Sequence, residues 1–362
     1  MADEAYDRLA NALDALPNRF PRTKSGVEIK ILKWLYTPEQ ADVFSCLSRT
    51  PLSTEELAEK SGLPLEQVQE AIAVGAAGIL GVAQRRFVDG QEKFRLGPFV
   101  LGIYEGTAET MDKEFAELFE QYMFEEGAAK AILEPQPGIL GVVPVRNSVK
   151  RELLEPYEDI DAHFEKYERF MVMNCICRVQ QNLLGSTCPT PVRRCAFVGL
   201  PAEVPVSEGV LDRETAVKLF DDLEQQGCIH LGFYGHIMGG GEPQFMGCCT
   251  CCADCCGIMR GITDMGLAEA PTRSNYRAVL KVDECIACGD CIQRCQVKAI
   301  TEDSEGMPVF NRDKCIGCGQ CVIACPVEAV EMEKLPEAER FKTPGSVEEW
   351  EEARMRNMGW IT

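Results

Sequence analysis

Histidine is nearly absent from this 362-residue chain, which has three, and they support no Ser/His/Asp arrangement. No G-x-G-x-x-G follows a strand and there is no P-loop, so neither flavin nor NAD is expected. Basic charge is also short: 37 Lys and Arg stand against 57 Asp and Glu, a net charge of −20. That balance argues against a nonspecific grip on nucleic acid or acidic membranes, which takes clustered Lys and Arg. No run approaches the ~20 apolar residues of a membrane span, so no membrane insertion is expected. The opening MADEAYDRLANALDALPNRF is acidic and amphipathic, unlike a signal peptide, and a cytoplasmic location is expected. Apolar residues make up 46%, ample for packed cores.

Cysteine, by contrast, is abundant, with 20 residues. In a long chain without an export signal, disulfides are not the natural reading. Crowded free thiols oxidise unless something binds them, and their spacing here points to metal.

Residues 1–105 read as a helical module closed by a hairpin. Val27–Leu35 and Ala41–Leu47 are apolar-periodic, Ser53-Thr-Glu-Glu56 is a capping box, Gly62 makes a turn, and Leu65–Leu80 gives a second helix. Val82–Leu96 carries Asp89-Gly90 between two strand-like runs. This order resembles a winged helix-turn-helix domain. The helix that would enter a major groove, LEQVQEAIAVGAAGIL, has Glu66 and Glu70 and no base. Only Arg85, Arg86, Lys93 and Arg95 of the wing favour DNA, so a docking or dimerisation module is expected and nucleic acid is not.

Residues 106–277 read as a mainly helical, cysteine-rich domain. An acidic amphipathic helix spans about 107–135. A second helix, Tyr157–Phe170, leads into Asn174-Cys-Ile-Cys-Arg178, and a third runs from an Asp212 cap to a Gly227 stop. Residues 232–247 read as a Gly-rich loop. Residues 333–362 form a tail in which Ser346-Val-Glu-Glu349 opens a short helix carrying Trp350.

The strongest signal lies in 278–332. VDECIACGDCIQRCQVKAI and RDKCIGCGQCVIACPVEAV match at an offset of 30 residues, each with C-x₂-C-x₂-C-x₃-C. Gly289 or Gly319 allows the tight turn on which three thiolates converge, and the fourth Cys points away. The pair resembles the bacterial two-cluster 4Fe-4S ferredoxins. That resemblance implies one cubane on Cys285, Cys288, Cys291 and Cys325, and another on Cys315, Cys318, Cys321 and Cys295. Gln296 departs from the pattern, standing where the second copy has Pro326. An acidic shell raises the cost of adding an electron, so low potentials are expected.

Cys46 and Cys228 are isolated and read as small buried hydrophobes. Ten other cysteines form two groups: Cys175, Cys177, Cys188 and Cys195, then CCTCCADCC with Cys248, Cys249, Cys251, Cys252, Cys255 and Cys256. Together they could hold one or two further iron–sulfur clusters, with individual assignments left open. Cys248, Cys252 and Cys255 happen to fit the radical-SAM spacing, but no β/α-barrel repeat accompanies it. Cys255-Cys256-Gly257 resembles half of the paired CCG element of heterodisulfide reductases. Arg178, Arg193 and Arg194 could form an anion site or, the favoured reading, neutralise and tune a buried cluster. His230 and His236 read as ordinary histidines, and Gly239-Gly-Gly241 as a loop.

The fold class expected is therefore α+β multidomain: a winged-helix-like module, a mainly helical middle with a metal site, and a two-cubane ferredoxin domain. The layout is similar to multi-cluster iron–sulfur proteins of anaerobes, a group that brings no established reaction with it. The leading expectation is a low-potential electron-transfer protein serving a redox partner protein, as a homo-oligomer. The alternatives are an iron–sulfur oxidoreductase with a substrate-binding middle cluster, and a redox-sensing winged-helix regulator.

Overall fold

The computed structural model describes residues 2–77, 80–186, 188–234 and 245–362. His236 and Gly239-Gly-Gly241 lie outside the described residues. The chain divides into two units, Met1–Ile132 with Val179–Thr187, and Leu133–Arg178 with Cys188–Thr362. Among the described residues, no helix is long and apolar enough to cross a membrane.

The first unit contains α1 (Ala2–Asp14), α2 (Val27–Leu35), α3 (Pro38–Ser45), α4 (Thr54–Ser61), α5 (Leu65–Gly75), the hairpin β1 (Ala83–Val88) and β2 (Gln91–Leu96), α6 (Lys113–Glu120) and α7 (Ala128–Leu133). Capping boxes at Thr37/Gln40 and Ser53/Glu56 start α3 and α4, each side chain satisfying an amide the helix leaves open. Asp89 and Gly90 both take positive φ, 51° and 77°, as a two-residue hairpin turn requires. The core gathers Phe20, Phe99, Phe115, Phe119 and Tyr122, with Tyr104 stacked on Phe119 at 3.7 Å. Two expected elements are shorter than their apolar patterns. α5 ends at Gly75, five residues before Leu80. The helix expected over 107–135 is divided into α6, one π-turn at Gln121–Glu125, and α7, because Gly127 enters the left-handed region at φ 78°.

The second unit corrects the expectation of a mainly helical middle. It is built on a six-stranded sheet ordered β3 (Gly141–Val143), β7 (Ile229–Tyr234), β8 (Phe245–Cys251), β5 (Arg193–Leu200), β4 (Arg169–Asn174) and β6 (Val210–Asp212), with each neighbouring pair antiparallel. Arg169–Asn174, RFMVMN, contains residues of good helix propensity; sheet pairing overrides it, and only Ile160–Lys166 of the expected Tyr157–Phe170 helix forms, as α8. α9 (Ile176–Leu183) opens directly after Cys175. α10 (Arg213–Gln225) starts on Asp212, whose carboxylate accepts from Thr215 N at 2.8 Å, and ends before Gly227. α8 and α10 cover one face of the sheet. Phe164 and Phe220 pack there on Phe170, Val172, Phe197, Cys228 and Cys248. His230 lies on the same face, fully buried, 4.2 Å from the Phe220 ring. Desolvation first, then Arg146, holds its pKa well below the ordinary value, so it is a neutral core histidine.

After α11 (Gly257–Thr263), the ferredoxin-like repeat follows as β9 (Tyr276–Leu280), α12 (Asp290–Arg294), β10 (Ile300–Glu302), β11 (Pro308–Phe310), α13 (Gln320–Ile323) and β12 (Val330–Lys334). β9 pairs with β12 and β10 with β11. Backbone conformation repeats with the sequence: Ala287 and Gly317, Gly289 and Gly319, and Lys298 and Glu328 all have positive φ. The copies differ in surroundings. A Cβ at Gly317 would run into the Tyr276 carbonyl and Ser274, contacts that Ala287 does not face. Gly317→Ala is therefore expected to destabilise the second loop by about 1–3 kcal/mol, as anaerobic denaturant melting would measure. Finally, α14 (Val347–Asn357) is pinned by Trp350 Nε1 donating to the Gly138 carbonyl at 3.2 Å and by buried Arg354 donating to the carbonyls of Pro135 and Pro137.

Candidate metal centres

Cys295 of the first copy lies near the cysteines of the second. Cys318 and Cys321 feel the charge of Cys295 as well as Cys315, whereas Cys291 feels Cys288 and Cys285. Backbone amides aim at sulfur in both copies: Ala299 N donates to Cys295 at 3.2 Å and Ala329 N to Cys325 at 3.2 Å. Burial pushes the Cys318 thiol up to about 12, and Cys321 and Cys291 upward as well. As proton-bearing thiols these groups are poorly solvated. The donor set is soft and supplied with amide hydrogen bonds, which suits thiolate ligation of iron.

In the middle, strand geometry sorts the crowded cysteines. Side chains alternate along β8, so Cys249 and Cys251 share one face and Cys248 the other. Cys248 sits opposite Phe197 in the apolar core and donates to the Cys249 carbonyl at 3.3 Å. It does not join the other thiols, contrary to its inclusion among the candidate ligands. A bulge between β4 and β5 shifts the register between Met171 and Met173, placing Cys195 opposite Met173 and away from the face that holds Phe197. There Cys195 lies 3.1 Å from Cys249, sulfur to sulfur.

Cys175, Cys177, Cys251 and Cys256 lie close enough to these two to shift one another's titration, so the six thiols form one group. Cys175 precedes α9 and Cys256 caps α11, so the group combines a sheet face with two helix starts. Hydrogen bonds from neighbouring thiols draw Cys175 and Cys256 well below the ordinary thiol pKa, and the same bonds hold Cys177, Cys195 and Cys251 well above it.

A second group stands apart. The sulfurs of Cys188, Cys252 and Cys255 lie within 4.8 Å of one another, and Cys188 and Cys252 are 3.7 Å apart. Arg178 Nη2 and Arg194 Nη2 each donate to Cys252 Sγ at 3.2 Å. Both guanidiniums are fully buried in a chain of strongly negative charge. A hydrogen bond from Cys255 first, then Arg194 and Arg178, pull the Cys252 thiol down to about 5. Arg194 Nη1 also reaches Thr190 at 2.8 Å and Cys228 Sγ at 3.1 Å. Cys228, read from sequence as an isolated hydrophobe, is thus core-packed and arginine-bonded at once. Arg193 does not reach the centre; it pairs with Glu208 at 3.0 Å.

Gln296 links the two cysteine-rich regions. Its Oε1 accepts from Ala253 N at 2.8 Å, within the Cys252–Cys255 turn, and its Nε2 donates to the Gly227 carbonyl at 2.8 Å. Arg294 and Gln320 donate to the Glu224 carbonyl, and Gln320 also to that of Cys228 at 2.6 Å. Proline at 296 could make neither side-chain bond. The departure from the repeat was visible in sequence; its tertiary purpose was not.

Comparison with known families matches the C-terminal repeat and a segment of the N-terminal module. Residues 278–332 match the 4Fe-4S dicluster domain, and residues 314–355 match a second 4Fe-4S dicluster model that overlaps it. Residues 36–74 match the DprA winged helix domain. No curated protein matches the chain. The C-terminal region is thus a 4Fe-4S ferredoxin-like domain, which implies iron–sulfur electron transfer, and a winged-helix domain lies near the N-terminus.

Proposed function

We propose that this protein is a low-potential electron carrier whose ferredoxin domain exchanges electrons with one or two further iron–sulfur clusters held by residues 175–256. Cys285, Cys288, Cys291 and Cys325 would hold one 4Fe-4S cluster, and Cys315, Cys318, Cys321 and Cys295 the other. Bound there, such clusters supply one-electron storage and transfer. The observation that carries the reading is Gln296: adjacent to Cys295, it bonds directly to the turn between Cys252 and Cys255. The first cysteine loop of the domain suits a redox partner protein, since Cys288 is exposed near exposed Ile286 and Val282. The winged-helix domain suits docking better than DNA. Glu66 and Glu70 are exposed on α5, and the wing bases Arg85 and Lys93 pair with Glu92 and Glu56. A second reading, an oxidoreductase with substrate at a middle centre, is favoured by the incomplete thiol set around Cys188.

Anaerobic iron and sulfide counting with EPR at stepped potentials tests the proposal. About twelve to sixteen irons per chain are expected, and about eight would leave the middle without clusters. Gln296→Pro should keep every iron yet slow electron equilibration between the two regions, followed by rapid-mixing reduction. An unchanged rate would remove Gln296 from the route.

A further inference from the structure

We propose that Cys188, Cys252 and Cys255 bind a single iron ion, with the Asp254 carboxylate as its fourth ligand, as a mononuclear redox site separate from any cluster. The inference goes beyond the cluster reading, and it stands whether or not the six-thiol group binds iron.

Spacing decides between one metal ion and several. A tetrahedral ion with metal–sulfur bonds of about 2.3 Å holds its thiolates about 3.8 Å apart. The three sulfurs here lie within 4.8 Å of one another, and those of Cys188 and Cys252 are 3.7 Å apart. A cubane takes one thiolate at each outer corner and spreads them more widely than this group does. Within that 4.8 Å radius the described residues supply three sulfurs and no further His, Cys, Asp or Glu. The fourth corner falls to a side chain close by. A carboxylate oxygen about 2.0 Å from such an ion sits about 3.5 Å from each sulfur. Asp254 Oδ2 already lies 3.4 Å from Cys188 Sγ, and its side chain is exposed, so a rotation completes the set.

The surrounding chain is built to hold these ligands. Cys252-x₂-Cys255 is a chelating turn, closed by Cys256 N donating to the Cys252 carbonyl at 3.1 Å. Arg178 ties the distant ligand to it: Nη1 donates to the Cys188 carbonyl at 3.1 Å and Nη2 to Cys252 Sγ at 3.2 Å.

Three thiolates suit zinc or iron by softness alone. Charge and position favour iron. A ferrous ion with three thiolates and one carboxylate carries about −2, which buried Arg178 and Arg194 bring to about zero. The reduced ion is thus the form these guanidiniums neutralise. Gln296, next to Cys295, accepts from Ala253 N inside the chelating turn, so one side chain joins the site to the ferredoxin domain. Zinc in that place has no second oxidation state. A ferric ion takes one electron from a reduced ferredoxin cluster and becomes ferrous, with no proton moved.

Mössbauer and EPR spectra of the anaerobically purified full-length holoprotein, with iron, zinc and sulfide counts, test the site. Iron should exceed acid-labile sulfide by about one per chain, as an isolated high-spin ferrous ion that gives a high-spin ferric EPR signal on oxidation. Cys188→Ala should remove that ion and its signal and leave sulfide unchanged. Asp254→Asn should keep the signal, change its rhombicity, and speed loss of the ion to a chelator about tenfold or more. Iron equal to sulfide, zinc in place of the extra iron, or sulfide lost together with iron in Cys188→Ala would each overturn the proposal. An unaltered Asp254→Asn protein would overturn the fourth ligand. About nine irons with eight sulfides would uphold this site while sinking the middle-cluster reading, and about thirteen with twelve would uphold both.

Discussion

Alanine at Cys249 is expected to strip the middle region of a cluster, whereas alanine at Cys248, its chain neighbour, should cost no iron at all. The contrast follows from β8. One residue of displacement along a strand moves a side chain to the opposite face. Cys249 faces the six-thiol group through Cys195 and Cys251, and Cys248 faces Phe197 and Val143. The Cys248 substitution should register only as a loss of packing, roughly 1 kcal/mol for a group of this size. Iron analysis and visible absorption of the two anaerobically purified variants would decide it. Equal loss from both would mean that the strand register is wrong, and with it the separation of ligand from core thiols.

What could be read directly from the residues was local or repeated. The C-x₂-C-x₂-C-x₃-C spacing announced the ferredoxin domain because one turn geometry serves both copies. Ser53, Asp212 and Ser346 announced helix starts because a cap is satisfied within three residues. The six-stranded sheet was missed for the opposite reason. β8 pairs with β7 and β5, so its existence depends on partners, and a run such as CCTCC looks like ligand density rather than alternation. Arg193 and Arg194 were indistinguishable in sequence. Adjacent on β5, they take opposite fates, one in a surface ion pair and one buried on sulfur. Cys228 looked solitary because its partner Arg194 arrives from β5, distant in sequence.

Arg194→Met should lower the reduction potential of the centre at Cys252 without emptying it. A guanidinium donating to a ligand sulfur draws electron density away and stabilises the reduced state, whose negative charge is greater. A hydrogen bond from a charged donor is worth about 1.5–3 kcal/mol. If that difference falls wholly on the reduced form, the one-electron conversion of 59 mV per 1.4 kcal/mol gives a drop of roughly 60–130 mV. Methionine fills much of the vacated volume, so the fold should persist while Thr190 and Cys228 lose a donor. The ferredoxin pair, which has no arginine bonded to sulfur among the described contacts, should keep its potentials in the same titration. Arg178 and Arg194 would thus raise the potential of a centre at Cys252 relative to the same centre without them. A redox titration in which Arg194→Met shifts the ferredoxin signals, or shifts none, would show that the arginines serve only to neutralise buried charge.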